Sequence, residues 1–77
     1  MPTVLQIQGY RIGFFSADGD EPPHVHVSKA GKVAKFWLNP VQLAENIGYR
    51  RHELNEIIRS LEQNQQRLVK AWNEYFG

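Results

Sequence analysis

The chain predicts an α+β fold: a small antiparallel sheet of four to five strands, with a C-terminal helix, whole or broken, packed on one face. Two rhythms in the sequence predict it. From Leu5 to Leu38, apolar and polar residues alternate in short runs separated by turn residues, the period of strands with one covered face. From Arg50 onward, Leu54, Ile57, Ile58, Leu61, Leu68, Trp72, Tyr75 and Phe76 recur three and four residues apart, as on a helix with one apolar stripe. Size adds a constraint. The 77 residues make a single domain, 1–77. A chain this short buries only roughly 60% of its unfolded surface. It has no cysteine to build a disulfide framework or a thiolate zinc site, so packing or a partner chain must stabilise it.

The first strand is short. Leu5 and Ile7 alternate with Gln6 and Gln8, and Gly9 supplies a tight turn. Tyr10 to Ser16 forms the second strand, with Tyr10, Ile12 and Phe14 on one face and Arg11, Gly13 and Phe15 on the other. Residues 17–23 read as a loop, and Pro22-Pro23 holds its exit extended. His24 to Ser28 is the third strand. Ala30-Gly31 turns the chain into the fourth, Val33 to Leu38, which Asn39-Pro40 ends. Val41 to Ile47 alternates weakly and is assigned to a short edge strand. The helical period then begins without a capping side chain before it, and Arg50 and Arg51 oppose the helix dipole there. The apolar stripe lapses at Asn64 and Gln65. An unbroken helix from Arg50 to Phe76 would run roughly 40 Å, whereas the strands span roughly 17–24 Å. The helix must therefore break between Gln63 and Gln66, or overhang the sheet with Leu68, Trp72 and Phe76 exposed.

The alternation leaves one open sheet face carrying Arg11, Phe15, His24, His26, Lys35 and Trp37. Within it, Pro22-Pro23-His24-Val25-His26-Val27 is the most informative stretch, because it places two imidazoles side by side. A pair of groups titrating near neutrality can act as acid and base, cleaving a phosphodiester through an adjacent 2′-hydroxyl. Arg11 or Lys35 would steady the developing charge. As metal ligands, His24 and His26 would need a third from Asp18, Asp20 or Glu21. Two histidines without cysteine are too few to define a metal centre, and no cofactor is assigned. The balance of these signs is against an enzyme.

The net charge of +1 does not suit a strongly electrostatic nucleic-acid binder. Arg11, Lys35, Arg50 and Arg51 could still meet phosphates, with Trp37 stacking on unpaired bases. The N-terminus lacks the basic head and apolar run of a signal peptide, and no apolar run approaches the roughly 20 residues of a membrane span. A cytoplasmic address without membrane contact is expected.

Three blocks, Pro22-Pro23-His24-Val25-His26-Val27, Ala34-Lys35-Phe36-Trp37-Leu38 and Ala71-Trp72-Asn73-Glu74-Tyr75-Phe76, together with the Met1-Pro2-Thr3-Val4 start, resemble a bacterial family, domain of unknown function 4160. The resemblance covers essentially the whole chain. It implies a small cytoplasmic protein, often encoded beside a second short protein in a layout similar to toxin–antitoxin pairs, and it carries no settled catalytic residue. Related chains often place Ser or Thr at the Arg50 position, where it would cap the helix. The function expected is therefore binding to a cognate partner protein, with Phe15 and Trp37 as anchors. A homodimer through the open face or the helix overhang, and nucleic-acid binding on that face, are the alternatives.

Overall fold

The computed structural model describes residues 3–77, and the side chains from Leu5 onward. Met1 and Pro2, the first two residues of the Met1-Pro2-Thr3-Val4 start named in the resemblance, lie outside the described residues. Five strands form one antiparallel sheet in sequence order: β1 (Thr3–Ile7), β2 (Tyr10–Gly13), β3 (His24–Lys29), β4 (Lys32–Leu38) and β5 (Val41–Ile47). Two helices follow, α1 (Arg51–Gln63) and α2 (Gln65–Phe76). Gln8-Gly9 and Ala30-Gly31 each turn with two successive positive φ angles, 52° and 84° in the first and 51° and 80° in the second. That handedness matches the twist of the strands it joins.

The helix side of the sheet buries Ile12, Val25, Val27, Ala34, Phe36 and Leu38 against Ile57, Leu61 and Leu68. The second strand ends at Gly13 rather than Ser16. The Asp18 carboxylate takes the Phe15 N–H at 2.8 Å, and the chain coils into a 3₁₀ turn over Ser16–Asp20. Val41–Ile47 is an edge strand, and the weakness of its alternation has a cause. Leu43 pairs with Phe36 and Glu45 with Lys35, leaving Ala44 as a bulge. The extra residue shifts the faces, so Ile47 stands on the open side opposite Val33 rather than beside Leu43.

The helix breaks at Asn64, whose side-chain amide donates to the Ser60 carbonyl at 2.8 Å. A straight helix of roughly 40 Å would exceed the longest dimension of the molecule, 34 Å. The overhang is not formed, because α2 turns across the end of the sheet. Gln65 donates to the Leu38 carbonyl at 2.6 Å, Trp72 packs on Phe14 and His24, and Phe76 lies on Phe14 and against Gly19. Leu68 and Trp72 are thereby buried. No described helix is long and apolar enough to cross a membrane.

Candidate functional site

The site sits where β3 begins. Pro22 and Pro23 deliver an extended chain, and β3 then sends His24 and His26 to the open face. Their partners across the ladder on β4 are Trp37 and Lys35. The Ser16–Asp20 turn folds back over this corner. Its hub is a single atom, Asp18 Oδ2, which accepts the Phe15 N–H and lies 3.2 Å from His24 Nε2 and 3.1 Å from His26 Nε2.

The two imidazoles differ. His24 is fully buried, with Trp72, His26 and Trp37 around it at ring-centre distances of 5.1, 5.2 and 5.6 Å. Its Nδ1 stands 3.0 Å from the Pro22 carbonyl oxygen. A carbonyl only accepts, so Nδ1 carries the proton. Nε2 then points at Asp18 within ion-pair distance but makes no aligned hydrogen bond. His26 reaches the surface, with the half-exposed Phe15 ring edge-on at 4.8 Å. Burial pushes the His26 imidazole below its ordinary pKa, against the pull of Asp18. Burial alone would raise the Asp18 carboxyl. The Phe15 N–H and the two imidazoles outweigh it and hold the group below its usual value. Glu21 closes the outer rim by accepting from Lys35 Nζ at 2.9 Å, which lowers its carboxyl pKa in turn. Lys35 also lies over the Trp37 ring, 4.7 Å from its centre.

Among the residues singled out from the sequence, His24, His26, Phe15, Lys35 and Trp37 come together at this corner. Arg11 does not, since its ladder partner is Ser28, further along β3. Arg50 and Arg51 open α1 in the layer on the other side of the sheet. Of the three acids offered as a third ligand, Asp18 occupies the cluster, Glu21 flanks it and Asp20 is exposed outside it. His24 is sealed from solvent, so of the imidazole pair only His26 presents surface to an approaching molecule. The seal itself had no signal in the sequence. Trp72 reads there as one more member of a helical stripe.

The chain is thus an α+β protein, a meander of five strands closed by two helices, with an Asp–His–His cluster at one corner. A family model described as Domain of unknown function (DUF4160) matches residues 9–73, and the chain belongs to that family. Searches of curated proteins and of solved structures gave no match.

Proposed function

We propose that the protein is the binding component of a two-protein bacterial pair of the toxin–antitoxin kind, and that it takes its partner along β5 and the open face beside it. One observation carries this reading. This edge of the sheet keeps apolar side chains in solvent: on the open face Ile47 is 67% exposed and its β4 partner Val33 39%, and on the helix side of β5 Leu43 is 41% exposed. Natural edge strands are usually blunted by charge or covered, since a bare apolar edge recruits another chain. Phe15, also half-exposed, offers a separate apolar contact beside His26 on the open face. Nucleic-acid binding draws less support. Lys35 is neutralised by Glu21, and Arg50 and Arg51 belong to the helical layer, so the basic groups do not converge.

The test is co-expression with the product of the adjacent gene, followed by purification through a tag on this chain. A stable complex is expected, with affinity at least tenfold weaker in Ile47→Lys, whose side chain is too exposed to support the fold. An undiminished complex in that variant, or no complex at all, overturns the reading. RNA binding that weakens steeply with salt and is lost in Arg11→Ala would replace it with the nucleic-acid one.

A further inference from the structure

We propose that Asp18, His24 and His26 form a binding site for one divalent first-row transition-metal ion of the Zn²⁺ type. One ligating atom from each of the three lies within 4.8 Å of the other two. Zinc bonds of about 2.0–2.1 Å in tetrahedral array place neighbouring ligand atoms about 3.3 Å apart. Asp18 Oδ2 stands 3.2 Å from His24 Nε2 and 3.1 Å from His26 Nε2, so both carboxylate–imidazole edges already have that length.

The chemistry of His24 strengthens the case. With the proton fixed on Nδ1 by the Pro22 carbonyl, Nε2 faces a carboxylate oxygen with its lone pair, in a fully buried position without an aligned hydrogen bond. Two lone pairs facing each other at 3.2 Å repel unless a cation stands between them, either a proton on Nε2 or a metal ion. A proton on His24 would serve that ring alone. A metal ion serves both imidazoles and the carboxylate together. The outer contacts fit as well. A backbone carbonyl on Nδ1 is the usual device that aims a histidine's other nitrogen at a metal, and the Phe15 N–H orients the carboxylate in the same manner. Binding displaces the proton that His26 Nε2 otherwise shares with Asp18.

Two imidazoles with one carboxylate favour zinc and its neighbours over magnesium or calcium, which prefer all-oxygen ligand sets. Glu21 flanks the cluster, its Oε1 3.7 Å from His24 Nε2 and held by Lys35 Nζ at 2.9 Å, and the partly exposed Asp18 and His26 line the entry.

The experiment is a Zn²⁺ titration of chelator-treated protein, read by calorimetry and by thermal melting, with Mg²⁺ as control. One Zn²⁺ per chain is expected. At a free concentration about a hundredfold above Kd the melting midpoint should rise by roughly 10–20 °C. Asp18→Asn and His26→Gln, both at the rim, should each weaken binding at least tenfold while far-ultraviolet dichroism shows the fold retained. His52→Ala, on the exposed start of α1, should bind as the wild type does. Absence of binding at micromolar Zn²⁺ overturns the proposal. So does binding that survives in folded Asp18→Asn and His26→Gln, or that depends on His52. Should one rim variant fail to fold, the other decides.

Discussion

Tyr49 is buried between the sheet and α1, its hydroxyl 3.2 Å from the carbonyl oxygens of both Val27 and Lys32. It donates to one at a time and so ties the start of α1 to the β3–β4 hairpin. Burial, with Tyr10 and Glu53 nearby, pushes its pKa up to about 12, so the donor persists through any ordinary pH. Tyr49→Phe keeps the ring and removes the donor. It should cost about 1 kcal/mol in urea unfolding, and an unchanged unfolding midpoint would show the bond to be idle. Nothing near Tyr49 in the chain marks it for this role, because it falls between the strand period and the helix period. His24 and His26 were legible for the opposite reason. Strict alternation after two prolines fixes their face without help from the rest of the fold. What alternation does not reveal is their difference in burial, which is imposed by an element almost fifty residues further on.

At the scale of elements, α2 is held to the sheet's end by an aromatic cluster. Phe14 packs edge-on against Trp72 at 5.3 Å and Tyr75 at 5.2 Å, and Trp72 lies 4.3 Å from Phe76. Gly19 belongs to this contact. A Cβ there would stand 2.7 Å from Phe76 Cδ1, and the ring has neighbours on its other sides. Gly19→Ala should therefore destabilise the protein by about 1–3 kcal/mol through overpacking. The same change in a Phe76→Ala background should cost little, and an equal cost in both backgrounds would place the effect elsewhere. The break before α2 was legible as a lapse in the apolar stripe at Asn64 and Gln65, but its direction was not. A helical period says which face is covered and is silent about what covers it. In β5, legible as a strand with its actual bounds, the bulge at Ala44 accounts for the weak signal, because one added residue exchanges the faces midway and blurs the alternation.

For the molecule as a whole, the perturbed carboxylates act in one direction. Asp18 is held below its ordinary value as described. Lys35 lowers Glu21, and the Arg50 N–H and then Lys32 lower Glu53. As pH falls, the unfolded chain takes up these protons before the folded one does. Their contribution is complete above the ordinary carboxylate range, about pH 4–4.5, and is lost as pH drops through the folded values. His26, also lowered, adds the same trend from about pH 6.5 downward. Melting of the metal-free protein should thus show a midpoint that falls from pH 7 to pH 3. Glu53→Gln should flatten the lowest part of that curve, and a midpoint that rises on acidification would refute the assignment.

Strand order follows chain order throughout the sheet. Each pairing therefore closes a short loop, whereas the contacts of Trp72 and Phe76 with Phe14, His24 and Gly19 join the two ends of the sequence. Short closures form early and at low entropic cost, and the long ones are left for last. What forms last is released first. The lid over His24 should open in fluctuations that leave the five strands paired, so solvent reaches the buried imidazole on a faster clock than it reaches the core. Defects placed in the lid, as with Gly19→Ala, should accordingly speed unfolding and leave the rate of folding nearly untouched.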